Sequence, residues 1–234
     1  MGIIVENPGI QTTVQDEGRF GSQQYGVSPA GPMDLKSFWI ANILVGNKKE
    51  EGVLEMTFQG PALRFEKDNL IAITGGNLQP MVNGEPVPMY QAVLVHAGYE
   101  LSIGITNGNG SRAYLAFAGG LDIPLVMGSK STLMRNKLGG IEGRKLEKGD
   151  RIKFLEPKTE LPNMKERKLT PAVFPKRELT LRVVTGPQDD AFSEEELKKF
   201  FWYSAKITNE FDRMGCRLER EEPLHHLVDG NILT

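Results

Sequence analysis

Three stretches gather side chains that can do chemistry. The first is Gln15-Asp16-Glu17-Gly18-Arg19, followed by a glycine-rich run from Gly21 to Gly31 and then by Asp34. A guanidinium can clamp a carboxylate or phosphate through two parallel hydrogen bonds. A neighbouring Asp can accept a proton or hold that arginine in place. The same residues also suit a surface turn closed by an internal Asp–Arg pair. The second stretch is Gly128-Ser129-Lys130-Ser131-Thr132, with Gly139-Gly140-Ile141-Glu142-Gly143-Arg144 behind it. Hydroxyls and backbone N–H groups on such a loop can hold a carbonyl or a developing oxyanion. A loop that needs glycine for its geometry alone has the same composition. The third is Phe211-Asp212-Arg213-Met214-Gly215, an Asp–Arg pair at a turn before a strand, where structural pairing is the simpler reading.

Other motifs fall away on spacing. A nucleotide-binding loop needs Gly, four residues, then Gly-Lys-Ser/Thr. Here Ser129 separates Gly128 from Lys130, and position 123 is Ile. Gly108-x-Gly110-x-x-Ala113 fits a degenerate dinucleotide pattern, but the residues after it, Tyr114 to Phe117, read as strand rather than helix. His225 and His226 are adjacent, so on an extended segment they point to opposite faces and do not share a metal. Cys216, with no histidine near it in sequence, reads as a small core residue rather than a nucleophile.

The elements that must position these residues are short. Ile3–Val5, Leu70–Thr74, Ala92–His96, Leu101–Ile105, Arg112–Ala118 and Arg151–Leu155 are apolar runs between turn clusters. Asn83-Gly84 is a hairpin signal, because both central residues of a type I′ turn need positive φ. A helix is predicted after Asp34 as N-cap, with Leu35, Phe38, Trp39, Asn42 and Val45 at helical spacing and Gly46 as its stop. Residues 1–157 thus read as one mainly β unit, a barrel or sandwich. Residues 158–178, with three prolines and the run Lys165-Glu166-Arg167-Lys168, read as a linker. Residues 179–234 open with a predicted strand, Leu179–Thr185, and a helix introduced by the Ser193-x-x-Glu196 capping box. Fifty-odd residues bury too little surface to be comfortable alone, so this second unit is expected to be incomplete or completed by a partner.

Composition narrows the classes. The 234 residues include 26 Gly and 14 Pro, together about 17% against an average near 12%, which favours turns and short strands. No apolar run reaches the length of a membrane span, and the N-terminus does not resemble a signal peptide. One Cys cannot form an internal disulfide, which fits a cytoplasmic location. A formal charge of −2 argues against a nucleic-acid partner.

Residues 7–19, Asn-Pro-Gly-Ile-Gln-Thr-Thr-Val-Gln-Asp-Glu-Gly-Arg, resemble the opening of the biotin-dependent carboxyltransferase family. That family includes the C component of bacterial 5-oxoprolinase, also called allophanate hydrolase subunit 2 or the Kip-type antagonist. It also includes the carboxyltransferase part of urea carboxylase (urea amidolyase). The likeness continues through Gly26 to Asp34, Ala41-Asn42-x-Leu44-Val45-Gly46-Asn47, Leu54-Glu55-x-Thr57, Thr74-Gly75-Gly76 and Ala118-Gly119-Gly120. It goes on through Gly128-Ser129-x-Ser131-Thr132, Gly140-x-x-Gly143-Arg144, Gly149-Asp150, Thr185-Gly186-Pro187-Gln188 and Asp212-Arg213-Met214-Gly215. Phe211 departs from it, where Ser is usual.

The resemblance implies two cyclophilin-like β-barrel domains with short helices and a cleft between them. Family members continue past residue 234, so the second barrel is expected to be partial. The implied function is that of one component of an ATP-dependent 5-oxoprolinase complex, with subunits A and B as partners and a small lactam or amide as substrate. No cofactor is expected to be bound covalently, and ATP is used by the complex. One alternative is carboxyl transfer from carboxybiotin to urea or a related amide. Biotin enters only there, and Met164-Lys165-Glu166 departs from the Met-Lys-Met of a biotin carrier. Another is a regulatory protein that antagonises a histidine-kinase inhibitor. On the leading reading, Asp16 and Arg19 lie near the substrate's carboxylate or phosphate and Asp34 orients. Ser129, Ser131, Thr132 and Arg144 line an oxyanion-type pocket, with Asp212 and Arg213 also binding substrate. No metal is expected.

Overall fold

Apolar, β-branched runs cut by glycine turns form strands because their side chains fit a pleated surface packed on its faces. The computed structural model describes residues 1–108, 110–170, 178, 180–186, 188–211 and 215–227. The chain divides into two compact units, Met1–Lys176 and Arg177–Thr234. The strands of the first are β1 (Gly2–Asn7), β2 (Gln11–Gln15), β3 (Val53–Thr57), β4 (Ala62–Phe65), β5 (Asn69–Gly75) and β6 (Pro80–Val82). They continue with β7 (Glu85–Pro86), β8 (Ala92–Val95), β9 (Glu100–Ile103), β10 (Arg112–Phe117) and β11 (Arg151–Lys153). Helix α1 (Leu35–Leu44) lies between β2 and β3 in the chain.

These strands make a six-stranded sheet, ordered β11-β1-β4-β9-β6-β7, and a five-stranded sheet, ordered β2-β3-β10-β5-β8. The mainly β expectation holds, but as two sheets rather than one sealed ring of strands among the described residues. Alternation along each strand explains the layering. Leu54 and Met56 of β3, Ile71 and Ile73 of β5, and Ala113, Leu115 and Phe117 of β10 share one core with Ile3, Val5, Leu63, Phe65, Leu101 and Ile103 of the other sheet. The intervening residues of the five-stranded sheet face α1. Val53, Leu70, Ala72, Tyr114 and Ala116 pack there against Phe38, Ala41, Leu44 and Val45.

Helix α1 begins and ends as its sequence predicts. The Asp34 side chain accepts the Ser37 N–H, and Gly46 sits at φ 71° just beyond the helix. Leu35, expected on the apolar face, is exposed instead. It precedes the turns that lie over the sheet, and Phe38 starts the buried stripe.

Both edges of the five-stranded sheet are covered. On the β2 side, Thr132 N–H donates to Val14 O and Leu146 N–H to Thr12 O. On the β8 side, Ala92 N–H donates to Arg167 O, and Gln91 bridges Lys168. Covering an edge removes a row of unpaired N–H and C=O groups that would otherwise recruit another chain. The second cover comes from residues 158–170, whose composition suggests the start of a linker. They run bound along the first unit. Leu161 and Met164 pack against the helix core, and Arg167 Nη1 donates to the carbonyls of Ile43 and Leu44 at the end of α1. A cation at a helix C-terminus meets carbonyls that have no intrahelical partner.

In the second unit, helix α2 (Glu194–Trp202) precedes β12 (Lys206–Phe211) and β13 (Cys216–Glu219), which pair antiparallel. Ser193 Oγ accepts the Glu196 N–H, as a capping box requires. The Glu196 carboxylate goes elsewhere, to Lys199 Nζ and the His225 N–H. The strand expected at Leu179–Thr185 does not form among the described residues. Residues 180–185 find no ladder partner there, and an unpaired strand has nothing to hold it. Leu179 lies outside the described residues, as do Asp212 and Arg213. Among the described residues, no helix is long and apolar enough to cross a membrane.

Phe38 is wholly buried between α1 and the sheet. Its replacement by Ala is expected to cost about 3 kcal/mol through lost burial and a residual cavity. A urea midpoint that moves by less than a third of the corresponding shift would contradict that packing.

Candidate functional site

The first predicted stretch sits where β2 ends. Asp16 is 8% exposed, and both oxygens of its carboxylate are engaged. Oδ1 accepts from Ser129 Oγ at 2.5 Å, Ser131 Oγ at 2.6 Å and Gly18 N at 3.0 Å, while Oδ2 accepts from Lys130 N at 2.5 Å. Ser131 Oγ also accepts the Asp16 N–H, and Ser129 Oγ accepts the Ser131 N–H. The structure therefore brings Asp16, Ser129 and Ser131 together, with the hydroxyls turned onto the carboxylate. They are not left open for an oxyanion. Lys130 extends the lock, donating through Nζ to Glu51 and to Leu121 O.

Arg19 lies beside this lock and is 1% exposed. Its Nε donates to Val126 O and its Nη2 to Ser131 O. Burial pulls the guanidinium below its ordinary pKa, and the Asp16 charge opposes that pull. Among the described residues, Arg19 Nη1 and Thr132 Oγ1 are buried without a hydrogen-bond partner. Gly139 and Gly140 close over them. A Cβ at Gly139 would come within 2.1 Å of Ser131 O, and one at Gly140 within 2.0 Å of Thr132 Oγ1. Both glycines also hold positive φ, so the turn needs them twice over.

Asp34 and Arg144 are elsewhere in the hydrogen-bond network. Asp34 spends its carboxylate on the N–H and hydroxyl of Ser37. Arg144 forms a two-pronged pair with Asp150 at 2.8 and 2.9 Å and adds Glu142 and the Lys145 carbonyl. Among the described residues, neither is hydrogen-bonded to the Asp16 lock.

A second polar cluster has no counterpart among the sequence-based candidates. It lies on the α1 side of the five-stranded sheet, on the part of that face beyond the apolar residues that the helix covers. Register puts Glu55 opposite Thr13 on one side and Tyr114 on the other, and Thr57 opposite Arg112. Glu55 is 1% exposed. Its Oε2 accepts from Tyr114 Oη at 3.0 Å and Met33 N at 2.9 Å, and its Oε1 from Arg112 Nη1 at 3.1 Å. Arg112 Nη1 also donates to Thr57 Oγ1 at 2.8 Å. Tyr114 Oη in turn accepts the Asp34 N–H at 2.7 Å. Burial, with the Glu55 carboxylate adding to it, raises the Tyr114 phenol far above its ordinary pKa. Tyr114 is thus a fixed donor, not a base. Gln15 ties the two clusters together, donating to Thr13 Oγ1 and Thr132 O and accepting the Gly31 N–H. The available signal was Val53-Leu54-Glu55-Met56-Thr57, where an acidic residue interrupts a buried strand on the side shared with Val53 and Thr57.

Chemically, the Asp16 lock is a structural anchor, and the Glu55 cluster presents a positioned cation. Among the described residues, no three His, Cys, Asp or Glu side chains converge as a metal site.

Asp16→Ala leaves two hydroxyls, two N–H groups and the Arg19 charge buried without their partner. It is expected to cost about 3–5 kcal/mol by chemical denaturation. A cost under about 1 kcal/mol would contradict the lock. The Arg144 pair sets a pH dependence. Hydrogen bonding to Arg144 holds Asp150 below its ordinary value of 3.8. The unfolded chain therefore binds more protons than the folded one near and below that value. The resulting stabilisation is complete above it and is lost as pH falls through the lowered folded pKa. Arg144→Ala should flatten the acid limb of the stability curve, and an unchanged limb would rule the pair out as its cause.

The chain matches the family described as "Carboxyltransferase domain, subdomain A and B" over residues 25–234. It is 36% identical over 238 residues to the urea amidolyase of Lachancea kluyveri, covering 97% of this chain and 13% of that protein. It is 34% identical over 226 residues to the C component of the Escherichia coli 5-oxoprolinase, covering 97% of this chain and 71% of that one. The crystal structure of the K. lactis urea amidolyase superposes with a TM-score of 0.78 at 34% identity, over 94% of this chain and 14% of that one. The chain thus spans about an eighth of the length of the amidolyases it resembles and most of the bacterial component. With a match that runs through both units and a strand framework shared with a solved relative, the chain belongs to the carboxyltransferase family of subdomains A and B.

Proposed function

We propose that this chain serves as the C component of an ATP-dependent 5-oxoprolinase, which opens 5-oxoproline to L-glutamate. The observation that carries the reading is the likeness to the C component of the E. coli 5-oxoprolinase, 34% identity over 226 residues that take in 97% of this chain and 71% of that protein. Its partners on this reading are subunits A and B, and its substrate is a small lactam. Opening the ring needs water to add at the amide carbon, the C–N bond to break and the nitrogen to gain a proton. ATP supplies activation of the amide oxygen.

The Gly128–Thr132 loop does not suit a phosphate. Its two serine hydroxyls and the Lys130 N–H are all committed to Asp16. On this reading ATP is bound by a partner polypeptide, and this chain contributes binding and orientation. The catalytic part that the sequence suggests for Asp16 and Arg19 becomes one of support, holding the loop under the Glu55 cluster through Gln15.

Carboxyl transfer from carboxybiotin to an amide is the second reading. The family description and the 36% identity to the amidolyase favour it. Biotin and its carboxylation would come from other polypeptides. The purified three-component complex tests the choice. ATP-dependent loss of 5-oxoproline is expected. No loss, together with biotin-dependent incorporation of labelled bicarbonate into product, would overturn the first reading for the second.

A further inference from the structure

We infer that Arg112 receives the carboxylate of a small anionic substrate; with 5-oxoproline as that substrate, the inference rests on the reading above. The arginines of the first unit differ in what their N–H groups do. Arg19 is sealed against backbone carbonyls. Arg144 is engaged by Asp150 and Glu142. Arg64 and Arg151 make surface ion pairs with Glu6 and Glu66, and Arg167 is spent on carbonyls. Arg112 alone among these is both anchored and unspent. Its Nη1 is fixed by the buried Glu55 carboxylate and Thr57 Oγ1. Its Nε and Nη2 make no hydrogen bond among the described residues, and its side chain keeps 18% exposure. Nε–H and Nη2–H lie parallel along one edge of a guanidinium, the edge that matches the two oxygens of a carboxylate.

The backbone around Arg112 is held as a receptor needs. The pairing of β3 with β10 ends at Thr57 and Arg112. The next residue, Phe58, takes φ 60°, a genuine outlier for a bulky side chain. That conformation is secured by Phe58 N–H to Ser111 O at 2.7 Å and Thr106 N–H to Phe58 O at 2.8 Å. On the other side, Gly76 N–H reaches Arg112 O at 2.6 Å. A Cβ at Gly75 would come within 2.5 Å of the same oxygen. Strain of this kind persists where the surroundings over-determine it, and it gathers at ligand-binding positions.

The test is an NMR titration of the full chain labelled with ¹⁵N-arginine, the Arg112 Nε–H signal being assigned by its loss in Arg112→Lys. 5-Oxoproline should shift that signal saturably. 2-Pyrrolidinone, the same lactam without the carboxylate, should leave it in place. Arg112→Gln, with its unfolding midpoint measured alongside, should weaken 5-oxoproline binding by at least ~tenfold, as loss of a charge-assisted pair predicts. An Arg112 signal unmoved by 5-oxoproline, or moved equally by 2-pyrrolidinone, overturns the inference even if Arg112→Gln fails to fold. Turnover by the complex without that shift leaves the 5-oxoprolinase reading and removes Arg112 from it. A shift without turnover does the reverse.

Discussion

A sheet covered on both faces must satisfy every polar group it buries. That constraint governs the first unit. One face of the five-stranded sheet meets the other sheet and is apolar throughout its core strands. The opposite face is divided. Helix α1 covers its apolar half with Phe38, Ala41, Leu44 and Val45. The other half carries Thr13, Gln15, Glu55, Thr57 and Tyr114, all buried. An unpaired polar group in such a place costs about 1–3 kcal/mol, so these residues must find one another or the loops above them. They do both. Glu55 gathers Tyr114, Arg112 and the Met33 N–H, and Gln15 reaches Gly31 and Thr132.

The same requirement explains the Asp16 lock. A carboxylate at 8% exposure needs donors on both oxygens, and the Gly128–Thr132 loop supplies three of the four it has. The loop owes its conformation to Asp16 as much as Asp16 owes its burial to the loop. The glycines at 139 and 140 then allow a second turn to lie against the first at backbone distance. Arg19 is enclosed by this packing, with the Asp16 charge offsetting part of the cost of its own burial.

Local rules were readable in the sequence. The Asp34 cap, the Gly46 stop and the Asn83-Gly84 hairpin each depend on a few neighbouring residues, and each is present. Ser193 and Glu196 were half legible: the serine caps, but the glutamate is drawn to Lys199 and the His225 N–H. Asp16, Ser129 and Ser131 stand out as polar residues with chemical potential. That they spend it on one another depends on contacts more than 110 positions apart in the chain. Arg112 and Tyr114 are illegible for the same reason, and Glu55 shows only as an acidic residue within an apolar run. Only the register of β3 against β10 makes the three a cluster. Residues 158–170 mislead through composition. Proline and charge suggest a free tether, while the decisive features are Leu161, Met164 and one arginine aimed at helix carbonyls.

That bound segment bears on how the unit can be shared among proteins of very different length. Leu70 N–H donates to Lys158 O, Lys158 N–H to Asn69, and Ala92 N–H to Arg167 O. A cut at residue 157 would strip a sheet edge, bare the end of α1 and uncover part of the helix core in one stroke. The transferable module is therefore longer than its last strand. Whatever polypeptide this unit is joined to, the graft has to begin beyond residue 170, with the strap carried along as part of the fold.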